Sequence, residues 1–109
     1  MMQRGLLQAG LVIGLFAIDG CTWVRMEPGA AQVHVLRMED DVSACKRLGE
    51  VATSVRSSVG PYQRDRLDVR DELETLARNE ALTLHADSVR PEAEPARGRQ
   101  RWFAYRCKG

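Results

Sequence analysis

Apolar and polar positions divide the chain into unlike stretches. Leu6 to Ile18 is an almost unbroken apolar run behind Arg4. From Gln32 onward the apolar residues are spaced. Gln32-Val33-His34-Val35-Leu36-Arg37 is short and β-branched, which predicts a first strand. In Val42 to Arg56 the residues Cys45, Gly49, Val51, Thr53 and Val55 fall on odd positions and share one face of a second strand. Gly49 within it marks a bulge or a close approach. A helical turn over Val42 to Cys45 is compatible with the same residues.

The period changes over Leu67 to about His85, where Val69, Leu73, Leu76, Ala77, Ala81 and Leu84 recur at helical spacing. Arg70, Glu74 and Arg78 stand at i,i+4 on the other face. Asp68, with Asp71 three residues on, gives a start like a capping box. His85 in Leu84-His85-Ala86-Asp87 suits a left-handed C′ position. Ala86 to Arg90 reads as a third strand. Arg101 to Cys107 reads as the last, with Phe103, Tyr105 and Cys107 on one face and Trp102 and Ala104 on the other. Ser57 to Gln63 is a loop with a Gly60-Pro61 turn, and Pro91 to Gln100 is a polar, mobile loop. The order predicts an α+β fold: a small sheet of three to four strands packed by one helix.

The apolar run at the start is about 13 residues, the length of a signal-peptide core and too short for a helix to span a bilayer. Ala17-Ile18-Asp19 is a poor site for ordinary secretory cleavage. Ile18-Asp19-Gly20-Cys21 instead resembles a bacterial lipobox, with Asp19 as its departure. The resemblance implies removal of residues 1–20, a diacylglycerol thioether on Cys21 and an acylated new N-terminus. More than one acyl chain makes such an anchor stable. Thr22, rather than Asp, follows the cysteine, which implies the outer membrane, at its periplasmic face. The competing reading is a signal that is uncleaved or ordinarily cleaved, with Cys21 an incidental thiol. Residues 21–31 then form a lipidated tether, where Trp23 sits at headgroup level or packs on the edge of the domain. Residues 32–109 form the periplasmic domain.

Composition narrows the chemistry. The 109 residues are 44% apolar and 28% charged, with a formal net charge of +1. That balance provides no positive field to gather phosphates, so nucleic acid is not an expected partner. The mature chain of about 89 residues buries little surface for its size, so a covalent staple would help it. The chain has three cysteines. With lipid on Cys21, Cys45 and Cys107 remain as a pair at the ends of two strands, and a disulfide between them is expected in an exported chain. A zinc site from Cys45, Cys107, His34 and His85 has suitable ligand types, but no two lie at finger-type spacing. Glu39-Asp40-Asp41 reads as a solvated acidic loop or, less simply, as a weak metal site. No nucleophile motif surrounds a serine, histidine or acid, so neither enzyme activity nor a cofactor is expected.

Several short motifs line up. Cys21-Thr22-Trp23-Val24, Val33-His34-Val35, Cys45 with Leu48-Gly49-Glu50-Val51, Ala77-Arg78-Asn79-Glu80-Ala81 and Ala104-Tyr105-Arg106-Cys107 together resemble an uncharacterised family of short proteobacterial lipoproteins. More distantly the chain is similar to the periplasmic domain of the Rcs outer-membrane stress-sensor lipoproteins, which carry two disulfides where this chain can form one. The resemblance implies a non-enzymatic envelope lipoprotein that meets an envelope protein or peptidoglycan. A stress sensor of the Rcs type and a small metal-binding or hydrolytic periplasmic protein are the alternatives.

Overall fold

Residues 24–108 are described by a computed structural model. The leader, the Ile18–Cys21 motif and Trp23 lie outside the described residues. In chain order the elements are β1 (His34–Val35), β2 (Lys46–Ser54), β3 (Ser58–Val59), β4 (Tyr62–Gln63), α1 (Arg66–Thr83), β5 (Ser88–Pro91) and β6 (Arg99–Arg106). The main sheet has the order β1-β5-β6-β2, with β1 parallel to β5 and the other pairs antiparallel. β3 and β4 form a separate two-stranded hairpin across Gly60-Pro61, within the segment expected to be a loop.

The helical stripe packs on one face of this sheet. Val69, Leu73, Ala77 and Ala81 are buried against Val51, Val89, Trp102 and Ala104. Trp102, 1% exposed, is the largest of the fully buried side chains. The helix starts at Asp65 rather than Asp68: the Asp65 carboxylate accepts the Leu67 N–H at 2.7 Å. Asp68 falls in the first turn, where an acid still complements the helix dipole. At the other end His85 takes φ 57°, the left-handed conformation expected of it.

Gly49 marks a bulge. Arg47 pairs with Tyr105 and Gly49 with Ala104, so Leu48 is the inserted residue. A Cβ on Gly49 would stand 3.7 Å from Leu84 Cδ1, an ordinary contact, so no close approach requires the glycine.

Two segments are tied down more firmly than their sequences suggest. The Pro91–Gln100 loop is held by backbone bonds from Glu92 N–H to Arg101 C=O and between Ala96 and Arg99, each at 2.9–3.0 Å. Its turn places Gly98 at φ 74°, where a Cβ would stand 2.2 Å from the Val55 carbonyl, so only glycine fits. The packed chain also begins before Gln32. The Asn79 side chain donates to the Arg25 carbonyl and accepts from the Glu27 N–H, both at 2.8 Å. Ala30 and Val33 follow into the core, at 0% and 3% exposure.

Candidate functional site

Cys45 immediately precedes β2 and Cys107 immediately follows β6, so the antiparallel pair brings the two cysteines together. They are joined by a disulfide, with the sulfurs 2.10 Å apart. Two of the four residues weighed for zinc are thereby oxidised and lost as thiolate ligands. Among the described residues, no group of three or more His, Cys, Asp or Glu is placed to hold a metal ion. His34 is exposed on β1, and His85 is exposed beyond α1, where its carbonyl accepts from the Arg106 guanidinium at 3.0 Å. In the acidic loop, Asp40 accepts the Arg37 N–H at 2.8 Å and Asp41 the Ser43 N–H at 2.9 Å. Those backbone bonds, with the Arg37 charge beside Asp40, hold both carboxyls below the ordinary carboxylate value. Both acids are thus engaged in turn structure.

The sheet face opposite the helix carries an aromatic and ionic array. The Arg47 guanidinium lies 3.8 Å from the Phe103 ring centroid, and Arg90 lies 5.6 Å from that of Tyr105. Phe103 and Tyr105 meet edge to face at 6.4 Å. Glu50 and Glu92 share a hydrogen bond beside Arg101 and Arg47. It raises the Glu92 carboxyl, which burial raises further, and lowers that of Glu50. Its arginines cover its rings, while Glu92 Oε2 is buried without a hydrogen-bond partner.

Two grooves flank the helix. The larger, about 760 Å³, lies between the β3–β4 hairpin, the start of α1 and the Glu94–Gly98 turn. Part of its lining is internally paired: the Arg64 guanidinium bonds Glu72 and donates to the Arg56 carbonyl at 2.8 Å. Arg70 pairs with Glu94 at 2.9 Å.

The second groove, about 440 Å³, lies between α1, the chain following β1 and the facing parts of β5 and β6. Val35, Leu36, Met38, Pro91 and Trp102 supply its apolar lining, while Arg70, Glu74 and Arg78 form a column along the helix. This column flanks the buried stripe instead of standing opposite it, because each member follows a core residue by one position. Among the described residues neither arginine lies within ion-pair distance of Glu74. Burial, and then the neighbouring Asp71 carboxylate, raise the Glu74 carboxyl above its ordinary value despite both arginines. Two polar atoms here are buried without a hydrogen-bond partner, Arg78 Nε and Gln100 Oε1. Gln100 was not legible as a site residue, because it fell in the expected loop. The i,i+4,i+8 spacing of Arg70, Glu74 and Arg78 was the signal available.

The fold and the staple define a class: a small disulfide-linked α+β domain with one helix on a four-stranded mixed sheet. The chain belongs to the DUF4156 family, a domain of unknown function, whose match covers residues 24–107. No curated protein and no solved structure matches it.

Proposed function

We propose that the protein is a non-enzymatic envelope lipoprotein, an interaction module held by lipid on Cys21 at the periplasmic face of the outer membrane. The observation that carries this reading is the fate of the cysteines. Cys45 and Cys107 are bonded to each other, which leaves Cys21 as the third. It follows Ile18-Asp19-Gly20, and only Thr22 and Trp23 separate it from Val24, where the family match begins. A thiol at that point, behind an apolar run with a basic start, is where a lipid anchor belongs. Among the described residues no helix is long and apolar enough to cross a membrane. Such a domain would act by contact, with an envelope protein or with peptidoglycan.

The test is the intact mass of the membrane-extracted protein, before and after reduction. The expected result is loss of residues 1–20, acyl mass on Cys21 and one disulfide's worth of hydrogen gained on reduction. Retention of residues 1–20, or an unmodified Cys21, would overturn the reading. Crosslinking in intact cells should then capture an envelope partner, and recovery of monomer alone under every stress counts against an interaction module.

A further inference from the structure

The three most exposed large apolar side chains among the described residues gather at one end of the molecule. Val59 and Tyr62 face each other across the β3–β4 hairpin and are 46% and 65% exposed. Leu67, in the first turn of α1, is 71% exposed and lines the groove between helix and hairpin. The hairpin joins no strand of the main sheet. An exposed apolar cluster with a polar rim marks a surface that meets something.

The rim is basic. Four arginines and one carboxylate, Glu94, line the groove. Glu72 holds Arg64 and Glu94 holds Arg70. Arg66 and Arg97 are exposed and have no ion pair among the described residues. Asp65 and Asp68, the other acids at this end of the helix, lie outside the lining, and Asp65 is engaged by the Leu67 N–H. Arg97 is held in place at a conformational cost. It takes φ 53° and Gly98 φ 74°, between the paired Ala96 and Arg99. A two-residue turn with both central residues left-handed favours Asn-Gly. What arginine adds over asparagine there is a guanidinium at the groove, and a backbone outlier of this kind points to a use for the group it carries.

We propose that this end of the domain docks on an anionic phospholipid bilayer. Val59, Tyr62 and Leu67 enter the headgroup layer, where a Tyr ring is favoured, and Arg66 and Arg97 meet lipid phosphates. An apolar tip with a basic collar matches such a surface in both respects. A second copy seated symmetrically on the same face would set these arginines against their own counterparts. The inference rests on the anchored reading for the nearness of a membrane. Cys21 stands only four residues before Arg25, roughly 13 Å of extended chain. Arg25 is bonded to Asn79, about 18 Å along α1 from Leu67. The lipid at one end of the helix and the hairpin at the other then hold the domain on the bilayer at two points.

The experiment is hydrogen–deuterium exchange on the membrane-extracted protein, in non-ionic detergent and in vesicles of phosphatidylethanolamine with or without phosphatidylglycerol. The expected result is slower exchange over residues 58–67 and 94–98 in vesicles containing phosphatidylglycerol, with β6 unchanged. Arg66→Gln, and Arg97→Asn, which suits the turn, should each lower that protection about fivefold. Tyr62→Ser with Leu67→Ser should abolish it, and protected β6 amides report that each variant is folded. No added protection on phosphatidylglycerol, equal protection without it, or full protection in a folded variant lacking both arginines would overturn the proposal. Protection that grows with protein concentration in detergent would assign the face to a second copy and overturn it too. Unacylated protein that is still protected keeps this inference while the anchor fails, and acylated protein left unprotected does the reverse.

Discussion

The indole N–H of Trp102 donates to the Thr53 hydroxyl at 3.0 Å, and that hydroxyl donates onward to the Gln100 carbonyl at 3.1 Å. The relay joins β2 to β6 inside the core, where both side chains are buried. Thr53→Val keeps the shape and strands the indole N–H. It should cost about 1–3 kcal/mol, the penalty of an unpaired buried donor. Thr53→Ser retains the hydroxyl and should cost less. Urea unfolding of the three proteins checks this, and a Val variant as stable as the parent would show the relay to be idle.

The disulfide spans a sequence separation of 62 residues. Constraining a loop of that length stabilises a fold by about 4 kcal/mol in the chain-entropy model. Domains of this size have about 5–10 kcal/mol in all, so the Cys45→Ala/Cys107→Ala variant should be close to the edge of folding. Its urea midpoint should coincide with that of the reduced parent. A midpoint unchanged by reduction would contradict the prediction.

Asp87 anchors the C-terminal end of β6. Its carboxylate accepts the N–H groups of Cys107 at 2.9 Å and Lys108 at 3.0 Å, and the Ser88 hydroxyl at 3.0 Å. Burial acts to raise this carboxyl, yet the three donors outweigh it and hold it below its ordinary value of 3.8. A depressed carboxyl stabilises the fold above its unfolded value and loses that effect as pH falls through the folded one. Asp87→Asn should therefore cost about 1–3 kcal/mol at neutral pH. The gap from the parent should close as pH drops below about 4. A gap that stays constant from neutral to acid pH would show that charge is not involved.

Glu74 has the opposite sign. Burial, and then Asp71, raise its carboxyl, so folding favours the protonated form. Stability contributed here is present below the ordinary carboxylate value and is lost as pH rises through the raised one. Glu74→Gln should leave the fold as stable as the parent or more so at neutral pH, with the advantage disappearing in acid. Thermal melts across that range decide the sign.

Asn79→Ala removes both bonds that hold Arg25 and Glu27 on the helix. The loss should be about 1–2 kcal/mol at most, because the site is exposed. It should appear locally, as faster hydrogen exchange at Glu27 while the amides of β6 stay protected.

The parts of the fold legible in the sequence are those fixed by local periodicity. The spacing of Val69, Leu73, Ala77 and Ala81 marks the buried face of the helix, and alternation separates Trp102 and Ala104 from Phe103. Differences fall where one particular partner, near or distant in sequence, decides. Three acids stand near the start of the helix, and only the bond from Leu67 N–H selects Asp65 over Asp68. β1 shortens to two residues because its pairing with β5 is limited to His34 and Val35. Gln100 joins β6, and so faces the groove, because Thr53 pairs with it across the sheet. Asn79 reads as an ordinary exposed helix residue until the chain from Arg25 to Glu27 is laid beside it.

The sheet is completed from its middle: β6, one of its two central strands, is the last strand among the described residues. β6 lies between β5 and β2, carries Trp102 and leads directly into Cys107. A chain delivered N-terminus first therefore holds β2 without its neighbour until the final residues arrive, and β1 waits for β5 beyond the whole length of the helix. Pairings this distant in sequence form late and together. Folding is thus ordered in time: the pairings that close the sheet on both sides of β6 wait until that strand is present. A truncation that removes β6 separates β2 from the β1–β5 pair and takes Trp102 out of the core.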